Sequence, residues 1–138
     1  MAVTLDGVKY LIETTFTRTR TPLSQLWVAL TTEDIDPSAT GADLYEPSGG
    51  YSRRSHAASS SGWNRVGSTL SNSAVVRFPK ATEDWGQLTN WALCTHQTGG
   101  NVLFEDRLSE PIRVEKGDVI EIPVGWMVIQ FKVGSWSL

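Results

Sequence analysis

The chain has 138 residues, a net charge of −3 and a single cysteine. This length fits one domain with its own hydrophobic core, and one cysteine excludes an internal disulfide. The basic residues are scattered rather than clustered, so the sequence predicts no nucleic-acid-binding surface and no nucleic-acid partner. The longest apolar stretch, residues 119–133, is interrupted by charged residues, proline and glycine, so we expect no membrane span.

We expect a single domain over residues 1–138, with a helix and arm in residues 1–22 and a β-sandwich in residues 23–138. The sequence begins without the charged and apolar pattern of a cleaved secretion signal, so secretion by that route is not expected. A lone thiol fits a reducing compartment such as a bacterial cytoplasm.

The first apolar pattern is helical and lies in the stretch TLDGVKYLIETTF. Its stripe has the i, i+3, i+4 and i+8 spacing of one helix face: Val8, Leu11, Ile12 and Phe16. Asp6 is a candidate N-cap, although Gly7 weakens the first turn. The β-branched residues Thr14, Thr15 and Thr17 favour an extended exit. The sequence therefore predicts one short N-terminal helix.

After Pro22 the apolar period changes to two, which is the period of a strand. QLWVALT, residues 25–31, reads as a buried strand. Residues 32–50 then form a loop that is longer than ordinary connections, so it is either functional or mobile. Residues 51–59 are a candidate edge strand, residues 59–69 a loop or short strand around Trp63, and residues 73–78 a further strand that ends at Pro79.

The C-terminal half contains five strand-like runs that are separated by Gly-Gly, Glu-Pro, Lys-Gly-Asp and Val-Gly. The runs are QLTNWALCTH, NVLFEDRL, IRVEKGD, VIEIPV and WMVIQFKV. Many short strands with glycine and proline between them, after one helix, are typical of an antiparallel β-sandwich or jelly roll. We therefore predict a mainly β fold of this kind with one short N-terminal helix.

Cys94 and His96 are the only candidates for nucleophilic chemistry. They lie two positions apart, so on a strand both side chains point to one face, but their Cα atoms are then ~6.6 Å apart. A Cys–His nucleophile also needs a third group that orients the imidazole. The following Gly99 and Gly100 suit a hairpin turn. The pattern favours a small buried cysteine beside a turn over a catalytic one.

The sequence predicts no metal site, no cofactor and no catalytic residue. One cysteine and two histidines are too few for a structural zinc site. Asp34, Asp36 and Asp43 have a calcium-like composition, but they lack the spacing of an EF-hand loop, so a polar turn-rich loop is the preferred interpretation. Three pairs of adjacent carboxylates occur, and on a strand the members of each pair point in opposite directions.

The chain contains six tryptophans, which is many for its length. Trp27, Trp91 and Trp126 lie within strand patterns and are predicted to be core residues. The other three, Trp63, Trp85 and Trp136, have polar neighbours and form a sugar-stacking platform, contact a partner protein or cover the ends of the sandwich.

Interface candidates follow from the arginines and from two of these tryptophans. Arg53, Arg54 and Arg65 flank Trp63 in the sequence, and interfaces favour tryptophan and arginine as anchors. The N-terminal helix and arm, and the segment around the last tryptophan, are candidates for reaching out of the sandwich. The candidates outside the Trp63 region are Arg18, Arg20 and Trp136.

Several segments carry a resemblance to a known family. They are an Asp-Pro and Gly-containing stretch that ends in EPSGGYSR, then FPKATEDWGQLTNWAL, then TGGNVLFEDRLSEPIRVEKGD, and a glycine-led final strand. In this order, from about residue 27 to residue 131, the chain resembles small virion proteins of tailed phages, which are often labelled tail fibre proteins. Related jelly-roll proteins serve as capsid cement, or decoration, proteins. Residues 52–64 and the Trp-rich end depart from the pattern.

The resemblance implies a non-enzymatic virion component that is made in the cytoplasm of the host bacterium. The first interpretation is a capsid decoration protein on the capsid surface, with the major capsid protein as partner and with itself as dimer or trimer. The second is a tail or head-fibre component of similar fold that contacts the host. The third, a small enzyme that uses Cys94 and His96, rests on that pair alone.

Overall fold

A computed structural model describes residues 2–132 and holds one α-helix and ten strands over that range. The helix α1 is Leu5–Leu11, and the strands are β1 (Ala2–Val3), β2 (Gln25–Thr31), β3 (Arg54–Ala57), β4 (Trp63–Val66), β5 (Thr69–Asn72), β6 (Val76–Arg77), β7 (Gly86–Cys94), β8 (Val102–Val114), β9 (Glu121–Ile122) and β10 (Val128–Gln130). Each strand pairing is antiparallel. The predicted mainly β, antiparallel fold with a short N-terminal helix is confirmed.

Helix α1 is capped by Thr4, not by Asp6 as predicted, and it packs against β8. The N–H of Gly7 donates to Thr4 Oγ1 (2.9 Å), and the Thr4 N–H donates to the Leu103 carbonyl of β8 (3.0 Å). A Cβ at Gly7 would lie 2.0 Å from the Leu103 oxygen. Glycine is therefore required there by the close approach of the helix to the sheet.

The predicted extended exit after the helix is wrong, because the chain continues as a π-helical segment, Ile12–Phe16. The Thr14 hydroxyl donates to the Tyr10 carbonyl (2.8 Å), which keeps the β-branched residue within the helix. All four residues of the apolar stripe are exposed, and Phe16 is 79% exposed. This stripe, Val8, Leu11, Ile12 and Phe16, is called the helical stripe below.

The five-stranded sheet has the order β1–β8–β7–β2–β3. Strand β2 has the predicted bounds and is central, paired with β7 on one side and with β3 on the other. Strand β3 is an edge strand, as predicted for this part of the chain. β-Branched and other apolar residues fill β2 on both faces because both faces are covered.

The main core lies between the five-stranded sheet and a second layer. Val28 on β2 and Leu93 on β7 point to the same side, and they belong to one buried cluster with Phe78, Met127 and Ile129. The second layer consists of a three-stranded sheet, β10–β5–β4, and a two-stranded sheet, β6–β9. The two layers pack face to face as a sandwich.

The long loop at residues 32–50 covers the opposite face of the large sheet. Ala29 and Ala92, which alternate with the main-core residues, form a second buried cluster with Ile35 and Ala39 of the loop. A short 3-10 turn, Gly41–Asp43, is closed by a capping box between Thr40 and Asp43. The loop is long because it serves as a layer of the fold.

Three strand predictions need correction. The Glu110-Pro111 dipeptide does not end a strand, because β8 continues through it. Residues 73–78 contain only the two-residue strand β6, and β5 was not predicted.

A bulge explains why β8 continues through Pro111. Between the pairs Asn90–Arg107 and Leu88–Ile112, a single β7 residue faces residues 108–111 of β8. This wide bulge accommodates the proline, because a bulged residue needs no ladder N–H.

The two long sides of the sandwich differ. On one side a tight turn connects β3 to β4, and it is fixed by His56, whose Nε2 lies 2.7 Å from the Gly62 carbonyl oxygen and whose ring contacts Trp63 edge to face. On the other side β10 is the edge strand of its sheet, and the outer edge of β8 is covered by β1 only at Phe104 and Glu105. The sandwich is closed at β3–β4 and open between β8 and β10.

Candidate interaction surfaces

The Cys94–His96 pair does not form a nucleophilic site. Cys94 is fully buried in the cluster beneath the loop, and this burial raises the pKa of its thiol to about 12. The thiol is therefore protonated at neutral pH, and a protonated thiol is a poor nucleophile. His96 is exposed, and its Nδ1 lies 2.7 Å from the Thr95 hydroxyl. The predicted small buried cysteine beside a hairpin turn agrees with this geometry.

The calcium-like aspartates are engaged in separate contacts. Asp34 accepts two hydrogen bonds from Arg107 (3.0 and 2.7 Å), and Asp36 accepts from the backbone and hydroxyl of Ser38 (2.8 and 2.6 Å). Asp43 closes the capping box described above. Over residues 2–132, no group of three His, Cys, Asp or Glu side chains is arranged to hold a metal ion.

Arg53, predicted to be an interface residue, lies inside the protein with 2% exposure. Its guanidinium donates to both Glu46 carboxylate oxygens (2.7 and 3.0 Å) and to the carbonyls of Gly41 (2.9 Å), His96 (2.8 Å) and Gly99 (2.9 Å). These contacts join the long loop to the β7–β8 turn. The structure therefore places Arg53 as an internal connector, in place of the exposed contact that was expected.

The other arginine candidates lie on the surface, and their interface roles stay predictions. Arg54 is exposed and donates to the Arg77 carbonyl (2.8 Å), and exposed Arg65 donates to the Gly67 carbonyl within its own hairpin (3.0 Å). Arg20 is half-buried, pairs with Glu13 (3.1 Å) and lies over the Tyr10 ring. Arg18 is exposed and has a φ of 54°, which turns the chain out of the helical segment.

The tryptophans are distributed differently from the prediction. Trp126, expected in the core, is 75% exposed, whereas Trp85, a contact candidate, is buried and its Nε1 donates to the Gly49 carbonyl (2.9 Å). Trp91 is buried as predicted. Trp27 and Trp63 are half-buried beside the two core clusters. Trp136 lies outside the described residues.

An elongated groove follows the open side of the sandwich, and it is called the β8–β10 groove. One part, of about 450 Å³, is bordered by Val3, Phe104 and Phe131. The next part, of about 280 Å³, lies between residues 106–112 and residues 126–128. Its apolar lining comes from Leu88, Trp91, Leu108, Ile112, Ile122 and Trp126. The first part is lined by Phe104 and residues 129–132, and the second part is lined by residues of the ranges 106–112 and 126–128. The two parts therefore follow one another along the same two segments of the chain.

The backbone turn that carries Trp126 is held at this groove by a buried asparagine. Asn72 has no exposed surface, and its side-chain amide donates to the carbonyls of Ala74 and Pro123, both at 2.9 Å. Its side-chain oxygen accepts from the Met127 N–H (2.8 Å). The turn that carries Trp126 is therefore fixed on both sides. A large, exposed apolar side chain on a fixed turn, beside an apolar groove, indicates a contact surface.

Sequence reasoning missed this site because Trp126 was grouped with the apolar run that follows it. A signal was available in Pro123 and Gly125, which place the tryptophan in a turn ahead of the short strand β10. Gly125 has a φ of 86°, as turn glycines often do. The pairing of β10 with β5, which decides the depth of the groove, is not local in sequence.

Within residues 2–132, no helix has the length and apolar content that crossing a bilayer requires.

Comparison with known proteins gives the family. A search of curated proteins finds no match. The family model described as Podophage GP4 fiber I protein gp80 matches residues 8–130, which include the helical stripe, both layers of the sandwich and the β8–β10 groove. The match supports a phage virion protein of the fibre type, and it does not confirm the jelly-roll cement type. This chain belongs to the podophage GP4 fiber I protein gp80 family.

Proposed function

We propose that the chain is a non-enzymatic fibre component of a phage virion, attached to other virion proteins and in contact with the host surface. The observation that carries this proposal is the family match over residues 8–130, whose description names a podophage fibre protein. The buried, protonated Cys94 thiol and the exposed His96 support the absence of nucleophilic chemistry.

Attachment to the virion is assigned to the helical stripe. Its four apolar residues are exposed on one helical segment, while Gly7 and Thr4 fix the start of that segment to β8. An apolar helix face of this kind is typical of a surface that a neighbouring protein covers. Exposed Arg18 follows directly and is a candidate to pair with an acidic group of that neighbour, whereas Arg20 is already paired with Glu13.

Capsid decoration is the second candidate function, with the major capsid protein as partner and with the chain bound as a dimer or trimer. The observation that favours it is the same exposed helical stripe on a stiff sandwich, since repeated attachment to a shell needs one apolar face per copy. The fibre function is preferred because the description of the matching family names a fibre protein.

Counting copies in purified virions tests both functions. Quantitative mass spectrometry gives the ratio of this protein to the major capsid protein, and gold-labelled antibodies give its place on the particle. A fibre component is expected at a small fraction of the capsid protein's copy number, with label at the tail or at vertices. A ratio near one with label over the whole head supports decoration instead. Absence from the virion contradicts both.

A further inference from the structure

We propose that the β8–β10 groove binds a neutral saccharide, with Trp126 as the stacking platform and Glu110 as a hydrogen-bond acceptor for sugar hydroxyls. The inference rests on the proposed contact with the host surface and names the site and the ligand class for it. Both residues line the same part of the groove, the part with a volume of about 280 Å³.

The backbone turn that carries the platform is preformed. Trp126 presents most of its indole to solvent, and the Asn72 side chain fixes its turn through bonds to Pro123 and Met127. The face of an indole carries negative charge density, and the C–H groups on one face of a pyranose ring are weakly positive and apolar. An exposed ring on a fixed turn favours stacking between them, because ordering a loose segment on binding costs conformational entropy.

The rim of the groove is acidic and favours an uncharged partner rich in hydroxyl donors. Asp106, Glu110 and Glu121 lie at this rim together with Arg107, whose guanidinium is paired with Asp34. The Glu121 carboxylate is paired with Arg77 (2.7 Å), whereas no described residue pairs with the exposed Glu110 carboxylate. A hydrogen bond from a neutral hydroxyl to a carboxylate is stronger than one between two neutral groups. An acidic sugar would be repelled by the same carboxylates.

The lining and size of the groove also suit a sugar. Apolar side chains such as Trp91, Leu108 and Ile112 form the floor, while charged and hydroxyl groups stand at the rim. A floor that is apolar and a rim that is polar match a ring with one apolar face and hydroxyls at its edge. Small-molecule sites typically occupy about 300–1,000 Å³. At about 280 Å³, this part of the groove is close to the lower end of that range and suits a short saccharide segment.

An extended peptide strand is the competing occupant, and the β8 edge disfavours it. Pro111 lies in this part of β8, and proline is typical of strand edges that do not accept an added strand. The bulge at residues 108–111 also interrupts the regular spacing of backbone groups along the groove. A ligand that stacks on side chains does not need that regular spacing.

Isothermal titration calorimetry of the full chain with saccharides tests the inference, because its signal does not depend on the tryptophan that is replaced. The probes are maltotriose, cellotriose, chitotriose and the neutral surface polysaccharide of the bacterium on which the phage grows, with polygalacturonate as the acidic comparison. We expect saturable binding of at least one neutral probe and little binding of polygalacturonate. Trp126→Ala is expected to weaken binding at least tenfold, and Glu110→Gln several-fold. The control is Tyr45→Ala, which removes an exposed aromatic ring outside the groove and is expected to leave affinity unchanged.

Two outcomes overturn the saccharide site: no neutral probe binds at millimolar concentration, or Trp126→Ala binds as tightly as the unchanged chain while its circular dichroism is native. Protection of Trp126 by another virion protein in the assembled particle overturns it as well, in favour of a peptide occupant. The proposed function fails separately, when the copy number and gold label place the protein over the whole head.

Discussion

At the scale of single residues, the guanidinium of Arg53 is the clearest organising group. It bonds to Glu46 and to three backbone carbonyls from two separate segments, the long loop and the β7–β8 turn. The same carboxylate also accepts from the Tyr51 hydroxyl (2.7 Å), and that hydroxyl in turn accepts from the Leu30 N–H (3.0 Å). The network therefore connects the covering loop to the central strand β2.

Replacing Arg53 by methionine is expected to lower the free energy of unfolding by about 3–5 kcal/mol, because Glu46 and three carbonyls lose their charged donor. Urea unfolding followed by circular dichroism measures the change. The control is Arg113→Met, which alters an exposed arginine whose nearest carboxylate partner is 3.5 Å away and is expected to change stability by less than about 0.5 kcal/mol. Equal effects of the two substitutions would contradict the role given to Arg53.

Alkaline pH is expected to destabilise the fold through Cys94. Burial raises the pKa of its thiol from 9.0 to about 12, so between these values the unfolded chain ionises while the folded chain does not. Stability is then complete below about pH 9 and falls by up to about 1.4 kcal/mol per pH unit above it. Urea unfolding at about pH 8, 9 and 10 measures the slope, which is expected to be shallower in Cys94→Ala. Parallel slopes would contradict the assignment to this thiol.

The tryptophans show what residue-level reasoning lacks. Trp85 and Trp126 each stand next to a glycine, and the prediction sorted them by their neighbours in sequence. In the structure Trp85 is buried and Trp126 is exposed, which is the reverse of the prediction. Trp85 can be buried because its N–H donates to the carbonyl of Gly49, which is far away in the sequence. Local composition does not report such a partner, and a buried indole needs one.

At the scale of elements, the attachment of α1 to β8 depends on one glycine. Gly7 allows the helix to reach the Leu103 carbonyl, and Thr4 bonds to the same carbonyl and to that of Val102. The sequence predicted the helix from its apolar period. It did not predict why glycine occupies the first turn, since the reason lies in a strand about a hundred residues later.

Gly7→Ala is expected to destabilise the protein by about 1–3 kcal/mol, because the added methyl collides with the Leu103 backbone. In an unpacked helix the same substitution stabilises by about 1 kcal/mol, so the sign of the effect is diagnostic. Urea unfolding and limited proteolysis of residues 5–20 measure it. Lys9→Ala, on the exposed side of α1, serves as the control and is expected to be neutral. A stabilised Gly7→Ala protein would mean that the helix does not approach β8 this closely.

The strands were predicted with uneven success for a physical reason. Strand β2 has the predicted bounds because it is buried on both faces and ends in clear polar turns. Strand β8 was predicted as two strands because Glu110-Pro111 is a strong local break signal. Its continuity depends on the bulge opposite β7, which is a property of the pairing and is not visible in either strand alone.

At the scale of the whole molecule, the surfaces divide by role. The helical stripe lies on the segment that follows β1, and the β8–β10 groove lies along the open side of the sandwich. Alternation and turn residues were enough to predict two antiparallel layers. The open side was not predictable, because it arises from which strands remain at the margins once all pairing is complete.

Removing the apolar character of the helical stripe is expected to reduce incorporation into virions several-fold. The double variant Ile12→Ser with Phe16→Ser alters exposed side chains, so its unfolding free energy is expected to stay within about 1 kcal/mol of the unchanged chain. Mass spectrometry of particles grown with each variant measures incorporation. Val66→Ser, an exposed apolar position on the β4–β5 hairpin, is the control. Normal incorporation of the double variant would remove the stripe from the attachment surface.

Val3 and Lys132 border the same depression beside Phe104. The segment from Val3 to Lys132 therefore begins and ends on the same side of the domain. A domain segment whose two ends lie close together can be inserted into a surface loop of an unrelated protein through two short linkers.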